Sequence, residues 1–175
     1  MSPATPPHLA AQPIRTSRLL LDPLRVEHAV EAAPAFDDEA LHTYIGGSPA
    51  TVDQLRARYE RQVVGRSADS AQSWLNWMLR RLDTGELVGT VQATVSVANG
   101  RPTAEVAWVV STGHQGQGYA REASAGMVVW LREQGVDTLV AHVHPEHAAS
   151  AGVARALGLR PTADVVDGEV RWSSS

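Results

Sequence analysis

Apolar and polar positions alternate along this chain with two different periods. From Trp74 to Val110 the period is two. Trp74–Leu82, Leu87–Ala98 and Thr103–Val110 predict strands, separated by Asp83-Thr84-Gly85-Glu86 and by Asn99-Gly100. An Asn-Gly pair between β-rich runs signals a hairpin, so the three strands should form an antiparallel meander. Before it, Leu19–Leu24 reads as a strand that Pro23 ends or confines to an edge. Val26–Ala35 and Val52–Val64 predict helices on either side of a Gly46-Gly47-Ser48-Pro49 break. After the meander, Ala120, Ala123, Met127, Trp130 and Leu131 recur at spacings of three and four, with Gly135 as the C-terminal cap. That helix is long enough to return Thr138–Val143 parallel to the preceding strand. His147–Leu157 predicts another helix, ended by Gly158, and Val165–Trp172 a last hairpin around Asp167-Gly168. The expected class is α/β in the α+β sense: a mixed, mostly antiparallel twisted sheet flanked by helices.

Composition narrows the setting. The chain has 175 residues and no internal repeat, which favours one domain over residues 14–175. Residues 1–13, with Pro3, Pro6, Pro7 and Pro13 among alanines, read as a flexible leader. No apolar run approaches the ~20 residues of a membrane helix, and Met1–Gln12 lacks a charged-then-apolar signal. A cytoplasmic protein without a membrane partner is expected. The lack of cysteine excludes disulfides, a thiolate zinc site and a cysteine nucleophile. Formal charge is −4, and all 15 basic residues are arginine. Neither sign dominates, so no nucleic-acid footprint is expected, and the groups that hold an anionic ligand must be local.

One stretch joins these elements to chemistry. The strand Glu105-Val106-Ala107-Trp108-Val109-Val110 leads through a polar loop to Gln115-Gly116-Gln117-Gly118-Tyr119-Ala120, where the long helix opens. Gly116 and Gly118 permit a tight turn, and the helix start offers unpaired N–H groups and about +0.5 charge to an anion. A dinucleotide fingerprint would place a third glycine where Arg121 stands. A nucleotide P-loop needs a lysine, which the chain lacks. A turn that binds nothing is a further reading.

Gln115 to Ala123, Gln-Gly-Gln-Gly-Tyr-Ala-Arg-Glu-Ala, resembles the Gln/Arg-x-x-Gly-x-Gly/Ala pyrophosphate loop of the GNAT superfamily of acyl-CoA N-acyltransferases. Thr16-Ser17-Arg18-Leu19-Leu20-Leu21 resembles the opening strand of the branch that includes ribosomal-protein N-terminal acetyltransferases. His144-Pro145-Glu146-His147-Ala148-Ala149-Ser150, ending in Ala156-Leu157-Gly158-Leu159, is similar to that branch's second CoA-side motif. The resemblance implies a single GNAT-like domain that takes acetyl-CoA as cosubstrate and acetylates a primary amine, a protein N-terminus or a small molecule, by direct attack and without a metal. A non-catalytic acyl-CoA-binding module is the alternative. Cofactor contacts are implied for Trp108, Val109 and Val110, for Gln115, Gly116, Gln117, Gly118, Tyr119, Ala120 and Arg121, and for His147, which stands where the family usually has asparagine.

The thioester is already activated, so the protein must supply a neutral amine, position it and stabilise the developing oxyanion. Glu105 occupies the position of the strand glutamate that many relatives use as general base, acting through water; alternation puts it on the face of Ala107 and Val109. A carboxylate suits an α-amine near ~8 better than a lysine amine near ~10.4. An ordinary charged strand residue is the competing reading. Ser150 matches a serine that protonates the leaving thiolate, or simply allows close helix packing. Ala154 stands where another branch has a tyrosine acid, so that route is absent. His142, His144 and His147 could chelate, yet no carboxylate but Glu146 is placed with them; His144 reads better as a substrate-side proton acceptor. Trp74 and Asn76 share a strand face that is either core or a substrate wall. Asp37, Asp38 and Glu39 could draw in an amine or form a solvated turn. Exposed edge strands and the last hairpin would suit a homodimer.

Overall fold

The meander forms the centre of an eight-stranded sheet. The computed structural model describes residues 8–45 and 47–175, so Gly46 of the expected break lies outside the described residues. The strands are β1 (Ile14–Arg15), β2 (Leu19–Pro23), β3 (Ser73–Arg81), β4 (Leu87–Ala98), β5 (Arg101–Val110), β6 (Thr138–Val143), β7 (Arg160–Val166) and β8 (Glu169–Ser173). Their order is β1-β2-β3-β4-β5-β6-β8-β7, and every neighbouring pair is antiparallel except β5 with β6. The helices are α1 (His28–Ala35), α2 (His42–Ile45), α3 (Val52–Gln62), α4 (Tyr119–Glu133) and α5 (Ala148–Ala156).

Strand alternation sorts side chains onto two cores. Leu75, Trp77 and Leu79 of β3 join Val91, Val106 and Leu139 beneath Ala123, Met127 and Leu131 of α4. Trp77 meets Trp130 edge to face, with ring centroids 5.6 Å apart and planes at 78°. Met78, of opposite parity, packs under Ala29 and Ala32 of α1 and Leu55 and Tyr59 of α3. Each such fully buried aliphatic side chain contributes roughly 1.5–3 kcal/mol.

Several boundaries differ from expectation. Asn99 and Gly100 both adopt positive φ, as a two-residue hairpin demands, so pairing begins at Arg101 rather than Thr103. The last hairpin also starts earlier, at Arg160; Pro161 is tolerated because β7 is an edge strand. Pro23 ends β2, as its missing N–H requires. The helical turns at Glu39–Leu41 and α2 were not foreseen. The leader is not unanchored over its described part. Trp77 is fully buried, and its indole N–H needs an acceptor, which the Gln12 carbonyl supplies at 2.7 Å; Leu9 N–H donates to Ser73 Oγ at 3.3 Å. Among the described residues, no helix is long and apolar enough to cross a membrane.

The feature that shapes the site is the short union of β5 and β6. They pair only over Thr103–Glu105 and Thr138–Val140. Beyond that, β5 stays with β4 as far as Val110, and β6 follows β8 as far as Val143. The sheet therefore splays open. Close approach at Gly89 keeps the end of β5 in place: a Cβ there would lie 2.3 Å from the Val109 carbonyl oxygen.

A polar cluster ties β2 to α1. Arg25 N–H donates to His28 Nδ1 at 2.9 Å, leaving the ring proton on Nε2, 3.2 Å from Asp22 Oδ2. Burial, reinforced by the Arg25 charge, holds His28 below its ordinary value. Burial pushes the Asp22 carboxyl up, but hydrogen bonds from Arg80 and Arg25 outweigh it and hold the group low.

Gly89→Ala should lower stability by roughly 1–3 kcal/mol through overpacking against Val109. Gly152→Ala, in the open interior of α5, should instead raise it by about 0.5–1 kcal/mol, as urea unfolding of both variants would show. Because the folded value of His28 is lowered, the unfolded chain takes up the proton first as pH falls below ~6.5. Stability should be complete above that pH and decline below it. His28→Gln should flatten the decline measured between pH 7.5 and 5.

Candidate active site

The turn before α4 is built to leave donors open. Gly116 and Gly118 adopt φ of 78° and 81°, a left-handed geometry that few other residues accept. Gly118 caps α4 without a side chain, and the first helical bond runs from Glu122 N–H to the Gly118 carbonyl at 3.0 Å. The N–H groups of Tyr119, Ala120 and Arg121 therefore precede the helical ladder. Helix α3 is the contrast: Thr51 and Gln54 close a capping box at 3.2 and 2.9 Å.

Two ties hold the open turn. The Gln115 side-chain amide donates to the Val110 carbonyl at 3.0 Å, so it fastens the loop to the end of β5. On the other side, Glu122 accepts from Thr16 Oγ1 at 2.6 Å, Arg18 Nε at 2.7 Å and Arg18 N–H at 2.9 Å. Burial raises the Glu122 carboxyl, yet these donors prevail and hold it below the usual range. The Arg18 guanidinium also lies 4.6 Å from the centre of the Tyr119 ring. The sequence reading missed this clamp; the signal available was Glu122 in the first helical turn, an acid in search of a partner.

Three cavities meet here. A groove of about 310 Å³ runs along Trp108, Val109, Val110, Gln115, Gly116, Gly118, Tyr119, Ala120 and Arg121 to His147 and Ser150. Arg121 has no ion-pair partner among the described residues. Gln117 is exposed and stands outside this wall. Inside the splay a cleft of about 370 Å³ is lined by Glu105, His142, His144, His147 and Ser150, with Thr90 and Gln92 on its floor. The two spaces share Trp108, Val109, His147 and Ser150. A third cavity, about 200 Å³, lies between α3, α1 and the sheet, and shares Thr90, Gln92 and Val109 with the cleft.

Within the cleft, His142 Nδ1 lies 3.0 Å from Glu105 Oε1, and Glu105 is 59% exposed. Glu146 N–H donates to His144 Nδ1 at 3.1 Å. His147 Nε2 is 3.4 Å from Ser150 Oγ; burial, then the neighbouring His144, lowers its affinity for a proton. No set of three or more His, Asp or Glu side chains is placed to hold a metal among the described residues.

The substrate-side residues divide. Asn76 lines the third cavity, His144 the cleft, and Trp74 neither: it borders a shallower depression outside, with its indole N–H 3.2 Å from Gln72 Oε1. Asp38 accepts from Ala40 N–H at 2.9 Å and caps a turn. Thr90 and Gln92 were missed, although they are the polar members of an alternating strand.

A family model described as Acetyltransferase (GNAT) domain matches residues 18–160. No curated protein sequence matches the chain. Among solved structures, the chain is similar to RimL, a ribosomal L7/L12 α-N-protein acetyltransferase in complex with coenzyme A, at 14% identity and a TM-score of 0.75, covering 93% of this chain and 97% of that one. A GNAT-family acetyltransferase from Bacillus anthracis gives 18% identity and a TM-score of 0.71, with 93% and 96% covered. The microcin C7 self-immunity acetyltransferase MccE, solved with acetyl-CoA and AMP, gives 12% and 0.72, with 90% and 92% covered. At these identities the likeness is one of fold, and it agrees with the mixed sheet expected from the sequence.

Glu122→Gln should cost roughly 1–3 kcal/mol by removing a charged acceptor from Thr16 and Arg18. In a double-mutant cycle with Arg18→Gln, denaturant unfolding should give a coupling of at least ~0.5 kcal/mol.

Proposed function

The chain belongs to the GNAT acetyltransferase family, whose members carry acyl groups from acyl-CoA to an acceptor, and on that premise we propose that it transfers an acetyl group from acetyl-CoA to a primary amine by direct attack. The observation that carries this reading is the meeting of the uncapped α4 groove with the splay between β5 and β6, at Trp108, Val109, His147 and Ser150.

Acetyl-CoA supplies an acyl thioester that is already activated. The N–H groups at Gly116–Arg121 and the unpaired Arg121 side chain suit its pyrophosphate. Past Glu105, the β5 edge that faces the splay has no ladder partner, so its backbone groups, apart from the Val110 carbonyl that the Gln115 amide takes, are open to the pantetheine arm and to the carbonyl oxygen. Glu105, steadied by His142, takes the amine proton through water. The neutral nitrogen then attacks, the C–N bond forms and the C–S bond breaks, the nitrogen releases its second proton to water, and Ser150 passes a proton to the thiolate. His147, held neutral by burial, sits where it can exchange that proton with Ser150. His147 also keeps a cofactor contact open where asparagine is usual.

Acetyl-CoA and CoA should each stabilise the protein by about 2.7 kcal/mol at a hundredfold excess over the dissociation constant, and NAD should not. With an acceptor in hand, Glu105→Gln should lower kcat by roughly 10²-fold while CoA affinity stays within twofold. Tight CoA binding without thiol release, across a broad amine screen, would leave a non-catalytic binding module.

A further inference from the structure

The acceptor side of the sheet is sorted by charge. The third cavity, the depression outside it and a further cleft beside the described leader all include Asn76, and among the described residues no aspartate or glutamate lines any of them. Their charged members are Arg58, Arg61 and Arg66, in a protein with 19 acids and 15 arginines. On α3, Arg56 is spent on Asp53 at 3.1 Å, whereas Arg58 and Arg61 have no carboxylate partner among the described residues. Arg58 stands on the wall shared by the cavity and the outer depression.

The cavity beneath Arg58 is apolar at its base, where Phe36, Leu55 and Met78 meet. Its inner end opens through Thr90, Gln92 and Val109 into the cleft that holds Glu105. Asn76 and Gln92 face each other across β3 and β4 and form a polar strip from the arginine toward the cleft. Tyr59 also lines the cavity; burial pushes its hydroxyl up to about 12, so it offers a neutral group and no competing charge.

Resting on the acetyltransferase reading above, we propose that the acceptor is a small amine with an apolar body and a carboxylate, an apolar α-amino acid being the simplest, whose carboxylate is taken by Arg58. A guanidinium without an internal partner, beside a space free of acids, favours an anion over the extra cation of a polyamine. The volume of about 200 Å³ suits a small side chain. The amine is left at the inner end, toward the cleft.

Calorimetry on the CoA complex with N-acetyl-L-leucine and N-acetyl-L-leucinamide, the two forms of a candidate product, tests this without turnover. The carboxylate should bind at least tenfold more tightly, and Arg58→Gln should bring the pair to within about threefold. Arg58→Lys should keep part of the preference, Arg56→Gln should keep all of it, and CoA affinity should not change in any variant. Equal or tighter binding of the amide, binding of neither, a preference that survives Arg58→Gln, or a phosphonate analogue tenfold tighter than the carboxylate would each overturn the proposal. Failure to bind CoA at all would count against the acetyltransferase reading instead.

Discussion

The site depends on a broken strand pair. Parallel partners β5 and β6 share a ladder for three residues each, then each strand continues its ladder only with its outer neighbour. Backbone donors and acceptors left at such an edge need a partner from outside the sheet, a side chain, water or a ligand. The opening is maintained from both sides. Gly89 lets β4 come close under Val109, while β8 runs alongside β6 up to Val143. The Gln115 amide already satisfies one carbonyl of the exposed end, that of Val110, and in doing so fixes where the glycine turn begins.

That turn works by what it leaves unfilled. Helix α3 spends a threonine and a glutamine on its own first amides, but α4 begins at a left-handed glycine that contributes no side chain. Its exposed dipole would be weakly ordered if nothing else gripped the first turn. Glu122 supplies that grip from behind, through three donors on the Thr16–Arg18 segment, and its negative charge lies in the first turn, where the helix field favours it. Glu122 bonds to the β1–β2 connection while Arg121, its neighbour in sequence, lines the groove. Restraint of the turn and the lining of the groove are thus carried by different side chains.

Much of this was legible in the sequence, and what was not has a common cause. Periodicity located the meander, both long helices and the parallel return of β6, because each buries a face wide enough to impose its own spacing. The Gln115–Ala120 turn was legible because left-handed backbone demands glycine. Short elements escaped: the turns at Glu39–Ile45 carry too few residues to show a period, and the anchoring of residues 8–13 rests on bonds to Ser73 and Trp77, more than sixty residues away. The same limit applied to the site. Trp74 and Asn76 share a strand face, yet only Asn76 reaches the enclosed cavity, because Trp74 lies one pleat further from the cleft and pairs with Thr94 rather than Gln92. The Arg18–Glu122 clamp joins segments about a hundred residues apart, and no local pattern reports it.

The division between backbone and side-chain roles explains how folds this alike coexist with sequences this different. A groove formed by amides, a glycine turn and an unpaired strand edge constrains conformation at many positions but identity at few, so neighbours at 12–18% identity still reach TM-scores of 0.71–0.75. The opposite holds across the sheet. The wall under α1 and α3 is made of side chains, Phe36, Leu55, Arg58, Tyr59 and Asn76 among them, and its shape and charge change with each substitution. Val109 belongs to both spaces. It stands on the last paired stretch of β5, so the strand whose backbone edges the groove also fixes how near the side-chain-lined cavity comes to it.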